Sequence, residues 1–487
     1  MIIALLFGLL LMPKEMNFAQ ILAVLPEGVA SHQSIGITLV FALAERGHEI
    51  TVLTPVVPKE RHEHVTILKV DTEDFITNSI DLYTCNDFSL FASFSTINSL
   101  NAYWSEQFLK DANVQKLISS NAHFDLVLID VLGNHAHKGF CYHFNAICVT
   151  INIFGANFWL DAQMGNPNNP SYVPDRHERY ASSMSFFQRF HNSFKFVIQS
   201  INFYWVSLPT QTAIMQRYFP GAPDLKDLFY NVSLSLVNSH FTNSLVVANL
   251  PNVVEIGGLH VRPPQRLPQD VQKFLDDSKD GLCIFALISV FSQLKQNVLW
   301  KFENESVEMP ENIKTVKRVS QVDVLAHPNI RLFITHGGLL SVTEAIHFGV
   351  PIIGIPIFAD QKLNVKLAED SGFAISLEYA LLNKNVIKDA IERILTNSKF
   401  SIAAKTKSKI YHDQLTKPLD RGIYWIEYCI RHQGAHHLRS YGLNLYWYQY
   451  LMLDILAVIV GAIVLVSLVI KAIYRQTCKK IFKRKLD

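Results

Sequence analysis

What most constrains the fold of this chain is a recurring unit: a short apolar run, a polar loop, a helical stretch and another apolar run. "ILAVL" (residues 21–25) is such a run, and "PEGVASH" is the loop after it. Ser34 can cap a helix with apolar Ile35, Ile37, Leu39, Val40 and Leu43, which Gly47 ends before the strand "EITVL". Strand, helix and strand in that order require a parallel pair. "FDLVLID", "AICVTIN" and "VSLSLVNS" repeat the theme. The N-terminal half, residues 20–249, is therefore α/β, with helices on both faces of its sheet. Residues 250–270 are polar, rich in proline and without periodicity, and read as an interdomain linker. The pattern then restarts with "CIFAL", "NVLWKF", "RLFIT" and "PIIGIPI", giving a second α/β domain over 271–445. A length of 487 residues suits this plan.

The two ends indicate a membrane. Ile2 to Met12 is unbroken apolar sequence, the length of a signal-peptide core and too short to span a bilayer, with cleavage expected after Ala19. A buried N-terminal strand is the plainer alternative. Leu451 to Ile470 carries one charge, Asp454; Tyr446, Trp447, Tyr448 and Tyr450 precede it, and Lys471, Arg475, Lys479 and Lys480 follow. Span, aromatic belt and basic flank predict a transmembrane helix over 451–470 with the tail, 471–487, in the cytosol. Lys483 and Lys485 resemble a dilysine retrieval signal of the endoplasmic reticulum. Both α/β domains would then be lumenal. In that compartment Asn231 and Asn304, each in an Asn-x-Ser tripeptide, become glycosylation candidates.

With 44 Lys and Arg against 42 Asp and Glu, nothing favours nucleic acid as a partner. Aromatic residues make up 11% of the chain, with 32 Phe, which points to apolar ligands, a membrane or both. Many fall between 154 and 205, including Phe154, Trp159, Phe186, Phe187, Phe190 and Phe194. They could form core, line an apolar acceptor pocket or touch the membrane. The cysteines lack metal-site spacing, and no carboxylate cluster demands a metal.

Chemistry concentrates in "FITHGGLLSVTEAIHFGVPIIGIPIFADQ", residues 333–361. "RLFIT" is a strand, His336-Gly337-Gly338 a turn, and Leu339 to Phe348 a helix closed by Gly349. The carboxyl end of a parallel strand opening onto a helix N-terminus is where such sheets bind anions. Glycines let backbone approach a phosphate, and His336 adds a donor. Ser341 lies in the first helical turn. Glu344 is one turn on, where a carboxylate can accept from two neighbouring sugar hydroxyls. Asp360 and Gln361 follow the next strand. Together these fit a nucleotide-sugar, with phosphates at the helix start and a sugar at each carboxylate.

That stretch resembles the signature of the UDP-glycosyltransferases, the UDP-glucuronosyltransferase family. The variant "HGGLLSVTEAI" is most similar to invertebrate members, and "GGLHV" and "GAHHLRS" extend the likeness. The resemblance implies a GT-B fold, two Rossmann-like domains facing across a cleft, with acceptor on the N-terminal side and UDP-sugar on the C-terminal side. It also implies inverting transfer of glucose or glucuronate to a hydroxyl of a small lipophilic acceptor. UDP-sugar serves as co-substrate, and neither cofactor nor metal is needed. His32 would be the base and Asp130 its orienting carboxylate. Gln321, His336, Gly338, Ser341, Glu344, Asp360 and Gln361 would hold the donor. An imidazole titrates near neutral pH, and a carboxylate partner fixes its tautomer, so the residue types agree.

Two departures from the family pattern bear on activity. A Trp that stacks on uracil is replaced within Arg318-Val319-Ser320-Gln321, although Gln321 is kept. The connection between "CIFAL" and "NVLWKF", residues 288–296, is shorter than a parallel crossover of about a dozen residues. Either the strands pair differently or the first unit of that domain is damaged. These features frame the alternative, a catalytically impaired relative that binds nucleotide-sugar or assembles with active relatives. A single-pass receptor or lectin is a third class, but it would need no pairing of His32 with Asp130.

Overall fold

The computed structural model describes residues 18–71, 90–155, 157–180, 183–278, 282–284, 295–301 and 309–484. The signal-peptide stretch up to residue 17, Cys85, Asn304, Lys485 and most of the 288–296 connection lie outside these residues.

Among the described residues the first sheet has seven strands, all paired in parallel, in the order β3-β2-β1-β4-β5-β6-β7. They are β1 (Gln20–Val24), β2 (Glu49–Thr54), β3 (Val65–Lys69), β4 (Leu126–Asp130), β5 (Ile147–Asn152), β6 (Leu234–Val237) and β7 (Val253–Glu255). Alternation along β1 sends Leu22 and Val24 into one hydrophobic layer and Ile21 and Ala23 into the other, so helices cover both faces. Helix α1 (Ala30–Ala44) follows β1, and α2 (Phe158–Met164) and α3 (Phe186–Asn202) follow β5. A disulfide joins Cys141 to Cys148 near the start of β5.

The second sheet has, among the described residues, six parallel strands in the order β10-β9-β8-β11-β12-β13. These are β8 (Leu282–Ile284), β9 (Asn297–Lys301), β10 (Ile313–Val316), β11 (Ile330–Thr335), β12 (Ile352–Gly354) and β13 (Ala374–Ser376). Helices α4 (Leu339–Phe348) and α5 (Gln361–Asp370) follow β11 and β12.

Three expectations about boundaries change. Val253–Glu255, inside the stretch read as linker, pairs with β6 as the last strand of the first sheet. Its two valines bury apolar surface that a solvated linker would expose. Strands β8 and β9 do pair in parallel, with Leu282 opposite Asn297. Of the connection between them, residues 285–294 lie outside the described residues. Third, α6 (Pro418–Arg431) returns to the first sheet. Its Ile423, Ile426 and Cys429 enter the layer built on Ile21 and Ala23, although the chain there belongs to the second half by sequence. Pro418 suits the first helical turn, where its missing N–H has no partner to lose.

Residues 439–487 form a separate unit. Tyr446 and Tyr448 stack 5.7 Å apart ahead of α7 (Leu453–Arg484). Within α7, Leu453–Thr477 is long and apolar enough to cross a membrane, and its most apolar 18-residue stretch has a mean hydropathy of 3.0.

Candidate active site

Strand order reverses between β1 and β4 in the first sheet and between β8 and β11 in the second, and such switch points open a crevice at the carboxyl ends of the strands. His32 stands in the first turn of α1, directly after the loop that leaves β1. Gln33 fixes this loop: its Nε2 donates to the carbonyls of Leu25 (2.9 Å) and Glu27 (2.5 Å), and its Oε1 accepts from Thr54 Oγ1 (3.0 Å). A Cβ on Gly36 would lie 2.5 Å from Leu25 Cδ2, so the glycine lets the helix pack closely on the Leu25 side chain. The His32 ring packs edge-on against Phe154, 5.0 Å between centroids. Burial lowers its pKa, and the charge of Asp360 opposes that shift.

Asp130 ends β4 and is 2% exposed. Burial, reinforced by the neighbouring Glu27 carboxylate, raises its pKa well above the ordinary range. Glu27 itself is pushed up to about 7 by burial. No hydrogen bond joins His32 to Asp130. Each instead keeps one buried atom without a partner, His32 Nδ1 and Asp130 Oδ1, the two atoms such a pair would connect. Glu27 was not singled out by the sequence reading. Its one signal was an acidic residue in the loop leaving the carboxyl end of the first strand.

On the opposite side, His336-Gly337-Gly338 links β11 to α4. Gly337 has φ +83°, and its N–H donates to Thr335 Oγ1 (3.2 Å). Cβ atoms on Gly337 and Gly354 would meet Val365 Cγ2 at 2.2 and 2.4 Å, so these glycines let α5 settle on the sheet. A Cβ on Gly338 would lie 2.6 Å from His336 Nε2, so the imidazole lies against the start of α4, which no side chain caps. Uncapped N–H groups and a positive helix end favour an anion. Burial lowers the His336 pKa, and Asp360 again opposes.

Gln321, Ser341 and Glu344 lie together: Gln321 Nε2 donates to Glu344 Oε2 (2.7 Å) and Ser341 Oγ (3.1 Å). His260 Nε2 lies 3.2 Å from Glu344 Oε1, bracketing the carboxylate from its other side. The "GGLHV" motif contained this residue, yet nothing in its spacing assigned it to the site. Gln361 also shapes the loop next to it. Its Oε1 accepts from the N–H groups of Ile357 (2.8 Å) and Phe358 (3.2 Å), shaping the loop that presents Asp360. Arg318, at the position of the missing Trp, is exposed.

Asp360 is the centre of the arrangement. It is 6% exposed, and its Oδ2 accepts from Asn364 Nδ2 (2.7 Å). Asn364 also donates to the Gly337 carbonyl (3.1 Å), tying the carboxylate to the turn after β11. Arg176, from the N-terminal half, brings Nη2 to 3.7 Å from Asp360 Oδ2. Further ties across the crevice run from Arg179 Nη1 to Glu378 Oε1 (2.8 Å) and from Asn243 Nδ2 to Thr343 Oγ1 (2.5 Å). One carboxylate from the second domain thus acts on imidazoles from both domains.

Beside Asp360 opens a cavity of about 610 Å³, within the range of small-molecule sites. Phe154, Phe158, Trp159, Phe196 and Phe203 line it, with Asp360 and Arg176 at one side. Phe154 both lines the cavity and packs against the His32 ring, which is not itself among the lining residues.

Residues 20–486 match the family described as "UDP-glucoronosyl and UDP-glucosyl transferase". The chain is 35% identical over 462 residues to UDP-glucosyltransferase 2 of Dactylopius coccus, covering 90% of this chain and 89% of that protein. It is 31% identical over 500 residues to UDP-glucuronosyltransferase 2B15 of Rattus norvegicus, covering 91% of each. Among solved structures it is similar to the glycosyltransferase VinC in complex with DTDP. That match has a TM-score of 0.58 and 16% identity, over 85% of this chain and all of that one. The spinosyn forosaminyltransferase SpnP matches with a TM-score of 0.56 and 16% identity, over the same shares. At such identities the likeness establishes the fold, which is GT-B.

Proposed function

Because the chain belongs to the UDP-glycosyltransferase family, and so to enzymes that transfer sugar from UDP-sugars, we propose that it moves a hexose, glucose or glucuronate, to a hydroxyl of a small lipophilic acceptor with inversion. The donor pyrophosphate docks where β11 gives way to α4, against the Gly338 N–H and His336. Glu344, held by Gln321 and His260, faces the nucleoside, with Ser341 beside it. Asp360 holds hydroxyls of the transferred hexose, and Gln361 keeps its loop in shape. The acceptor lies in the aromatic cavity with its hydroxyl toward His32. Neither cofactor nor metal takes part.

The observation that carries this reading is the double action of Asp360. Asn364 ties its carboxylate to the Gly337 carbonyl in the turn after β11, Arg176 reaches it from the N-terminal half at 3.7 Å, and its charge opposes the burial shifts of both His32 and His336, which supports a hexose held between a base and a phosphate site. His32, kept neutral by burial, takes the acceptor proton as the oxygen attacks the anomeric carbon. The bond from that carbon to the phosphate oxygen breaks with its electron pair. The helix end and His336 stabilise the charge on departing UDP. Asp130 pairs with His32 Nδ1 as the ring becomes cationic, satisfying the two buried atoms that have no partner in the free enzyme. The α7 span anchors the protein in the endoplasmic reticulum membrane with both domains lumenal.

Measuring UDP release from UDP-glucose and UDP-glucuronate by the full chain in membranes tests this. His32→Ala should cost about 10²–10⁴-fold in kcat, the usual worth of a positioned general base. UDP binding should be retained. Equal turnover by both proteins would remove His32 from the chemistry.

A further inference from the structure

A strap, residues 170–180, crosses the crevice from the first domain to the second and is tied on both sides. On the first it lies along the polar side chains of α3. Asn192 Nδ2 donates to the carbonyls of Pro170 (2.6 Å) and Val173 (2.9 Å), and Asn192 Oδ1 accepts from the Asp175 N–H (2.8 Å). Lys195 Nζ bonds Asp175 Oδ1 (2.8 Å) and Glu178 Oε1 (2.7 Å). On the second, Arg179 reaches the end of β13, where Nη2 donates to Ser376 Oγ (2.5 Å) and Nη1 to Glu378 Oε1 (2.8 Å). Arg176 lies between these ties, with its side chain 16% exposed. Gly155, at φ +76°, leaves room for it, since a Cβ there would lie 2.7 Å from Arg176 Nη1.

Asp360, Asp175 and Asp161 all act on this guanidinium through their charges. Asp175 is engaged by Lys195, and Asp161 accepts from Asn166 (3.1 Å) and Asn168. Of the three, Asp360 is the one from the opposite domain. Its Oδ2 stands 3.7 Å from Arg176 Nη2, an ion pair too long to be a hydrogen bond. Both side chains line the same cavity. Together they match a sugar hydroxyl. A carboxylate only accepts hydrogen bonds and a guanidinium only donates them, whereas a hydroxyl does both. A hydroxyl set between them gives its hydrogen to Asp360 and takes an N–H from Arg176. With Asp360 alone, the lone pairs of that oxygen would go unmet at a buried position, which costs binding. We infer that Arg176 is the first domain's half of the donor-hexose subsite, so that the transferred sugar is held between Asp360 and Arg176 from opposite walls of the crevice. Recognition of the sugar then requires the strap to span both domains, whereas UDP is read at the β11–α4 junction of the second. This inference rests on the reading that the hexose lies at Asp360.

The test is equilibrium binding to full-length protein without acceptor. UDP is compared with whichever of UDP-glucose and UDP-glucuronate the wild type binds more tightly, and the ratio of the two dissociation constants isolates the hexose. Arg176→Gln should weaken UDP-hexose by roughly tenfold or more, the usual worth of a hydrogen bond to a charged group, and leave UDP unchanged. Arg176→Lys keeps the charge but loses the planar fork, and should fall between the two. Arg176→Gln/Asp360→Asn should lose less than the two single losses combined, because the residues share one ligand. A ratio equal to wild type in both Arg176 variants would overturn the inference. So would equal weakening of UDP and UDP-hexose in Arg176→Gln with full recovery of both in Arg176→Lys, which means the charge serves only the fold. Asp360→Asn separates the readings. An unchanged ratio in that variant contradicts the placement of the hexose at Asp360, whereas a changed ratio there, with both Arg176 variants at wild type, contradicts only the role of Arg176.

Discussion

Burial holds the His32 imidazole neutral near physiological pH, and the Asp360 carboxylate partly offsets that effect. A base whose folded pKa is depressed becomes charged only below the ordinary value of about 6.5. The acid limb of kcat/KM should therefore fall below that pH, and Asp360→Asn should move it lower still, since a charge that favours imidazolium is gone. A limb that moved to higher pH in this variant would show that another group titrates. Glu27 has the opposite sign. Its folded pKa near 7 exceeds its unfolded value, so its contribution is favourable at low pH and is lost as pH rises through 7. Glu27→Gln should stabilise the protein by about 1–3 kcal/mol at pH 8 and by far less at pH 4, measured as Tm across pH. Equal increments at both pH values would contradict the burial of this carboxyl. At this scale the sequence was legible where a motif carried the residue, as with His336 and Glu344. Glu27, Arg176 and His260 were not, because each acts on a partner far away in sequence, Asp130, Asp360 and Glu344 respectively.

The turn between β11 and α4 depends on glycine for two different reasons. Gly337 adopts φ +83° and leaves room for Val365, so Gly337→Ala combines backbone strain with overpacking and should cost about 1–3 kcal/mol in denaturant unfolding. The sequence reading gave these glycines to phosphate contact alone; the packing of α5 was invisible without knowing which face of the helix meets the sheet. Most strands were legible as apolar runs, because parallel strands covered on both faces are apolar throughout. The exceptions have a physical basis. β7 has only three residues, too few to show a period inside a proline-rich stretch. The aromatic middle was ambiguous because periodicity gives the stripe of α3 but not which way it faces. The structure divides it, with Phe154, Trp159, Phe196 and Phe203 at the cavity and Phe186, Phe187, Phe190 and Phe194 outward.

The whole molecule is two parallel sheets whose switch points face a common crevice, fastened by α6, which lies in the second half of the sequence but packs on the first sheet. Ile426 is fully buried there, so Ile426→Ala should destabilise the body by about 2–5 kcal/mol. Thermal unfolding followed by exchange at β1 amides would register the loss in the first sheet, and protection unchanged there would contradict the packing of α6. The relatives and the sheet topology were legible from residues 333–361 outward, whereas the return of α6 and the interdomain ties at Arg176 and Arg179 were not, since they join segments far apart in sequence. The central claim is that a pyrophosphate docks at the junction of β11 and α4, and titration of full-length protein with UDP and with uridine tests it most directly. His336→Ala and Gly338→Ala should each weaken UDP by roughly tenfold or more, about 1.4 kcal/mol, and leave uridine binding unchanged. UDP affinity equal to wild type in both variants would contradict it.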